Sequence, residues 1–502
     1  MNFTAYNAAT GEPLPPNYAD ATAQQVNTAA DAAQQCADVF AATSPRARAE
    51  LLDAVAEELN TRKDALVQRA HLETGLPIGR LEGEHGRTTG QLRLFAALVR
   101  EGSWVDARID TALPERKPLP RPDLRRTLRA IGPVAVFGAS NFPFAFSVAG
   151  GDTASALAAG NPVVVKAHPA HPGTSDLSAD AIRAALVKTG LPSGIFSLVH
   201  GTSPDVSLTL VRHPAIAAVG FTGSTRAGRA LFDAAAARPQ PIPVFSEMSS
   251  VNPVFVLPDA LAKNTEGIAQ GLVGSFTLGV GQFCTKPGLV FGIAGDAWNA
   301  FCATVAAKSR EVTGGVMLHS GIQNCFETGV AALKDVEWLA QAPAAVARVD
   351  AAALRTRPEL GHEIFGPYVL LVTARDRADL VAIAEKLEGQ LTATLQATSR
   401  DLAAATDLIT VLARKAGRLV CNGFPTGVEV SPAMHHGGPY PATTDVRFTS
   451  VGTAAIFRFA RPVCYQSFPD TLLPAALQDA NPLGLLRLVN GQPTRDPLPL
   501  RS

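Results

Sequence analysis

Apolar positions recur at helical spacing from Ala21 to about Gly102. Leu51, Leu52, Val55 and Leu59 share one face of a segment that Ser44 introduces and Pro45 opens, the pattern of an N-cap with proline at the first helical position. The Ala-rich run 21–40 precedes it, and the helical pattern continues to about Gly102. From Ile131 the period changes. Short apolar runs at 133–138, 162–166, 196–200 and 217–222 alternate with helical segments near 148–159, 176–188, 204–212 and 225–237. Strands that are apolar on both faces and separated by helices predict a parallel sheet wound on both sides. A second round follows, with a strand at 253–257, a helix near 261–278 and a strand at 289–292.

Two stretches break the alternation. Residues 112–129 are rich in Pro and Arg, and prolines 114, 118, 120 and 122 lack the N–H that a central strand requires. This predicts an exposed arm, either a simple linker or a ribbon that docks on another subunit. Near the C-terminus Ala454–Phe459 alternates like an edge strand, and the Pro-rich sequence beyond Leu472 reads as a surface tail.

At 502 residues the chain exceeds what one core supports. The expected fold is therefore α/β, with two doubly wound parallel-sheet domains and a small additional arm. Lys plus Arg number 44 and Asp plus Glu number 44, so no net field recruits nucleic acid or an anionic membrane surface, and the expected partner is a small molecule. The N-terminus has no basic, apolar leader, and no apolar run approaches ~18 residues. A cytoplasmic protein is expected. Six scattered cysteines without a CxxC pair argue against a disulfide framework and a zinc site.

Ligands bind such sheets at the carboxyl ends of the strands, which singles out Asn141, Lys166, Gly201 and Gly223-Ser224. Gly223–Gly228 opens a helix whose N–H groups suit a phosphate, although an ordinary helix cap explains it equally well. Lys166 can donate to a ribose or phosphate, or simply be solvated. His168 and His171 have near metal-like spacing but no acid or thiol beside them, and no metal is expected. Cys284 stands among Gly279, Gly281 and Gly288, with Lys286 available to lower its pKa. Glu247 supplies a carboxylate, so the two together suggest a nucleophile with an acid/base partner.

Six motifs then occur in order: Asn141-Phe-Pro143, Lys166 at a strand end, Phe221–Gly228, Glu247 ahead of Asn252-Pro253, Gly281-Gln-Phe-Cys284, and Glu363-Ile-Phe-Gly-Pro367. Across residues 20–465 the chain resembles the aldehyde dehydrogenase superfamily. Ser140–Asp152 and His168–Thr174 are similar to the branch that holds α-ketoglutaric semialdehyde (2,5-dioxopentanoate) dehydrogenases and an NADP-dependent fatty aldehyde enzyme. The resemblance implies a dinucleotide-binding domain from residues 1–115 and 130–248 and a catalytic domain from 249–440. Residues 116–129 and 441–502 would form bridging or oligomerisation segments and the tail, in a homodimer or homotetramer.

The resemblance further implies that Cys284 attacks an aldehyde, that Asn141 and the Cys284 N–H hold the oxyanion, and that Glu247 activates water to release the acid. Glu247 is expected to have a raised pKa through Phe245 and Met248. Gly201, Gly223 and Ser224 would lie along the cofactor, with Ser224 and its helix at the pyrophosphate, Lys166 at the adenosine ribose, and Glu363 with Phe365 at the nicotinamide ribose. Pro169 stands where the wider family carries an acid. That permits NADP as well as NAD, with Lys166 and His168 near the extra phosphate. Asn422–Gly427 and His435–Pro441 replace a Gly-rich, Lys-containing motif and are expected to shape the aldehyde tunnel. Arg458 and Arg461 are candidates to pair a substrate carboxylate. The expected reaction is oxidation of 2,5-dioxopentanoate to 2-oxoglutarate, with a fatty or aliphatic aldehyde as the rival substrate and a non-redox cysteine hydrolase as the rival class.

Overall fold

The structure, a computed structural model, describes residues 1–498; residues 499–502 of the expected tail lie outside the described residues. The expected parallel sheets are present. In the first, five strands run parallel in the order Phe196–Val199, Val163–Lys166, Val134–Phe137, Ala218–Thr222, Val244–Glu247. Val163, Val164 and Val165 are wholly buried, as strands covered by helices on both faces must be. The helix Gly151–Ala159 is buried along its entire length. Its sequence, GDTASALAA, is correspondingly short-chained, which lets it fit between the sheet and the helix Ile78–Glu101.

The second sheet has seven strands, ordered Glu337–Ala340, Ala345–Asp350, Tyr368–Ala374, Leu289–Ile293, Val254–Val256, Gln390–Gln396, Ala416–Cys421. Its pairings are parallel except for Glu337–Ala340, which runs antiparallel at one edge. Phe255 stacks on Phe291 at 4.8 Å between ring centres, in a core that faces the helices Arg377–Lys386 and Thr406–Lys415.

The third sheet departs from expectation. Its order is Ala460–Gln466, Leu124–Ala130, Arg108–Asp110, Arg487–Val489, Gln492–Thr494. The prolines do stay out of it, in a loop closed by Leu113 pairing with Arg121. Leu124–Ala130, directly past the last of them, nevertheless sits between two strands. The edge strand begins at Ala460, whereas Thr453–Phe459 winds into a 3-10 turn that buries Ile456 and Phe459. The segment beyond Leu472 is also structural and not a loose tail. Arg125, 1% exposed, bonds Asp123 at 2.9 Å, Asp479 at 2.6 Å and the Leu477 carbonyl at 2.6 Å. A buried guanidinium with this many acceptors fixes the C-terminal segment beneath the sheet.

Candidate active site

The first sheet ends its strands together, and Glu247 is the last residue of the strand Val244–Glu247. The chain then turns through Ser249–Pro253, while Cys284 lies in the loop before the strand Leu289–Ile293. Asn252 joins the two loops. In the left-handed region at φ 47°, it donates through Nδ2 to the carbonyls of Cys284 (2.8 Å), Lys286 (3.1 Å) and Ser250 (3.1 Å). Its Oδ1 accepts from Ser250 and Thr392, each at 3.0 Å. Gly281 is required for a different reason: with φ +67°, a Cβ there would stand 2.2 Å from the Gly366 carbonyl. The cysteine loop thus lies directly on the Glu363–Pro367 loop. Val280, a β-branched residue at φ 57°, carries backbone strain next to it.

Glu247 and Cys284 meet at a third residue, His436. Its Nε2 is 2.9 Å from Glu247 Oε1 and 3.5 Å from Cys284 Sγ, although no donor is well aligned on Oε1. Ser450 donates its hydroxyl to the other carboxylate oxygen. His436 is itself fixed through its backbone, whose N–H donates to Thr449 Oγ1 at 2.8 Å and whose carbonyl accepts from Ser450 N–H at 2.8 Å. The donor atoms of the three side chains all lie within 4.8 Å of one another, a thiol, imidazole and carboxylate set that would also suit a thiophilic divalent ion.

The electrostatics differ from the sequence-based expectation in two respects. Burial pushes the Glu247 carboxyl up, but the charge and close approach of His436, the Ser450 hydroxyl bond and the nearby Cys284 thiol outweigh it, so its pKa is lowered and not raised. Burial and then the Glu247 charge push the Cys284 thiol well up, opposed by the Arg87 guanidinium. Lys286 does not serve the thiol as expected. Its ammonium donates to the carbonyls of Ile364 and Tyr368, both at 3.0 Å, and anchors the Glu363 loop. Burial brings Lys286 down to about 8 and lifts Glu363 to about 7, Lys286 opposing the latter.

Asn141 follows the strand Val134–Phe137 and donates Nδ2 to the Gln282 carbonyl at 3.1 Å, two residues before Cys284. Lys166 ends its strand without an ion pair among the described residues, and burial lowers its pKa to about 8. His168 stacks on His171 at 5.5 Å. Burial, with His171, Lys166 and His319 nearby, holds it well below the usual imidazole range, so it is neutral and cannot hold a phosphate by charge. Pro169 follows it along a cavity of about 830 Å³. Gly201 lies past the strand Phe196–Val199. Gly223 donates its N–H to the Glu247 carbonyl at 3.0 Å, and Ser224 caps the helix Thr225–Ala236 by accepting from Ala227 N–H at 3.3 Å. Beside them the buried Thr222 hydroxyl has no partner. Glu363 and Phe365 precede the strand Tyr368–Ala374.

Of the two arginines expected at a substrate carboxylate, Arg458 borders a small cavity with Glu247 and His436 but is fully engaged, and Arg461 lies elsewhere. Arg458 is 3% exposed and is committed to Asp152 at 2.8 Å, to Ser155 and to the Ala455 carbonyl. Arg461 sits opposite Arg129 in the third sheet and lines a cavity with Pro133, Ala217 and Pro243, at the amino ends of the strands. His436 is the residue that sequence reasoning placed only in the tunnel wall. Its sole signal was a His-His pair in a segment that departs from the family pattern.

Comparison with known proteins agrees with this arrangement. The model of the aldehyde dehydrogenase family matches residues 2–325. Alpha-ketoglutaric semialdehyde dehydrogenase 2 of Azospirillum brasilense is 52% identical over 501 residues, covering 97% of this chain and 95% of its relative. The alpha-ketoglutaric semialdehyde dehydrogenase of Acinetobacter baylyi is 50% identical over 503 residues, covering 98% and 95%. Among solved structures, a lactaldehyde dehydrogenase has a TM-score of 0.80 at 21% identity, covering 93% of this chain and 95% of its own. A Pseudomonas syringae aldehyde dehydrogenase in complex with NAD+ and octanal has a TM-score of 0.78 at 22% identity, covering 93% and 94%. With the parallel sheets, the Cys284 loop and these relatives in agreement, the chain belongs to the aldehyde dehydrogenase family and oxidises aldehydes with a nicotinamide cofactor.

Proposed function

We propose that the substrate is 2,5-dioxopentanoate, oxidised to 2-oxoglutarate, with Cys284 as nucleophile, Asn141 in the oxyanion hole and Glu247 with His436 as the proton-handling pair. The two relatives at 50–52% identity over nearly the whole chain support the substrate. The meeting of Cys284, His436 and Glu247 within 4.8 Å supports the roles. The Cys284 thiol is protonated at rest, because burial and Glu247 disfavour its anion. Its proton passes through the Glu247–His436 pair to solvent as Sγ attacks the aldehyde carbon, which leaves Glu247 anionic for the later step, and the resulting thiohemiacetal oxygen is held by Asn141 Nδ2 and the Cys284 N–H. Such a donor contributes roughly 3 to 4 kcal/mol to the transition state.

A bound nicotinamide dinucleotide would supply the two-electron oxidant that turns this thiohemiacetal into a thioester. The site fits one: the unpartnered Thr222 hydroxyl, the helix N-terminus at Ser224 and Lys166 stand together at the strand ends, and Glu363 is held over the Cys284 loop by Lys286 through the neighbouring carbonyls. Glu247, stabilised as the anion by His436 and Ser450, then takes a proton from water, which cleaves the thioester. NADP is favoured over NAD because Pro169 carries no charge to repel a 2'-phosphate and Lys166 is cationic at neutral pH. Turnover rates with the two cofactors test this preference.

Rapid mixing with substrate and cofactor tests the roles. Glu247→Gln is expected to give a burst of reduced nicotinamide and then stall, while Cys284→Ala gives no burst. Steady turnover by Glu247→Gln would remove Glu247 as the base.

A further inference from the structure

The helix Ile78–Glu101 turns a row of polar side chains toward the catalytic loop. Arg80, Glu84, Arg87 and Gln91 recur at spacings of four, three and four, which places them on one helix face. Two of them have evident structural work. Glu84, 5% exposed, accepts the N–H groups of Phe144 at 2.8 Å and Ala145 at 3.0 Å. Arg80 donates to the Asn141 carbonyl at 2.8 Å. Together they fix the segment that carries Asn141.

Arg87 has no such employment. Its Nε and Nη2 are buried and have no hydrogen-bond partner, and it forms no ion pair among the described residues. The guanidinium lies over the rings of Phe142 at 5.6 Å and Phe146 at 5.3 Å. These rings pack with Phe283, the neighbour of Cys284, and the guanidinium interacts by charge first with Glu84, one turn back on the helix, and then with Cys284, Glu247 and Glu429. Beside it opens a cavity of about 430 Å³ lined by Arg87, Gln91, Leu94 and Val428 to Val430. Glu429 is the one carboxylate in that lining, and it is exposed.

A buried guanidinium with two unused donors is costly unless something with the right acceptors visits it. Ring faces satisfy its charge in part but leave those N–H groups unbonded. A carboxylate satisfies them as a planar fork. We propose that Arg87 is the specificity-determining residue of the aldehyde channel and holds the carboxylate of an ω-oxo acid whose aldehyde end reaches Cys284. Phe142 and Phe146 pack the carbon chain between the two ends. The inference rests on the oxo-acid reading above, and it gives the carboxylate the arginine that Arg458 and Arg461 cannot provide.

The test compares kcat/KM for 2,5-dioxopentanoate with kcat/KM for pentanal in the wild type, Arg87→Met and Arg87→Lys. Removing one partner of a buried charged pair predicts a fall of about 30- to 1,000-fold in the ratio for Arg87→Met, carried mainly by KM. Arg87→Lys, which keeps the charge but loses the fork, should fall between. Equal losses on both substrates would assign Arg87 a structural role and overturn the proposal, as would a ratio that survives Arg87→Met. A wild type that does not prefer the oxo acid would instead remove the substrate reading, and the proposal with it.

Discussion

His436 changes the chemistry available to a Cys–Glu pair, because one imidazole nitrogen contacts both partners. Its effect on Glu247 has a definite sign. The folded-state pKa of Glu247 is depressed, so its anion, and the stability that goes with it, persists above the ordinary carboxylate range and is lost as pH falls through the lowered value. Removing His436 leaves burial as the largest influence, which raises the pKa. His436→Gln is therefore expected to shift the acidic limb of the pH–kcat/KM profile upward and to slow turnover by about 10²- to 10⁴-fold, the usual weight of a positioned proton-transfer group. An unmoved acidic limb would show that His436 does not set the state of Glu247. Cys284 and Glu247 were legible in the sequence because each sits in a local motif. His436 was not, since it lies 152 positions from Cys284 and its approach depends on Thr449 and Ser450 fixing its backbone. The expected effect of Lys286 failed for a related reason: proximity in sequence does not say where a four-carbon stem delivers its charge.

At the scale of elements, the strands and helices from Val134 to Ala236 were readable because apolar runs fully buried between helices carry a strong pattern. The strands of the third sheet were not. Arg487–Val489 and Gln492–Thr494 are three residues each, too short for a period to register, and the order of the buried Arg125 network only emerges in three dimensions. Between the well-read elements the catalytic loops depend on one side chain. Asn252 Nδ2 alone caps the Cys284, Lys286 and Ser250 carbonyls. Asn252→Ala would leave three carbonyls without this donor and place alanine at a positive φ, at a combined cost of about 2–4 kcal/mol. Denaturant unfolding measures that loss, and kcat should fall with it as Cys284 loses its fixed distance from His436. Wild-type stability in the variant would mean that water or a neighbour replaces the amide.

For the whole molecule, the proposed catalytic groups come from both parallel sheets, and the third sheet ties the chain's end to its middle. Glu247 ends a strand of the first sheet, Cys284 precedes a strand of the second, and His436 arrives from the segment that leads to the third. That composite origin explains why motif order along the sequence revealed the family while the geometry of the site stayed hidden. It also leaves two sheet edges open. Ala460–Gln466 is the terminal strand of the third sheet and Ala416–Cys421 of the second, and both carry exposed thiols, Cys464 and Cys421. Leu419 is exposed on the latter. Strand edges with free N–H and C=O groups are rarely left bare in a stable protein. We expect the chain to associate with copies of itself through these edges, as the Pro-rich arm also suggested. Sedimentation or light scattering should give a mass of at least twice 52.4 kDa, and Leu419→Lys should reduce it, because a charge on that edge opposes pairing. A monomer at working concentration would mean that the edges are covered within the chain and that a single protomer holds the whole catalytic apparatus.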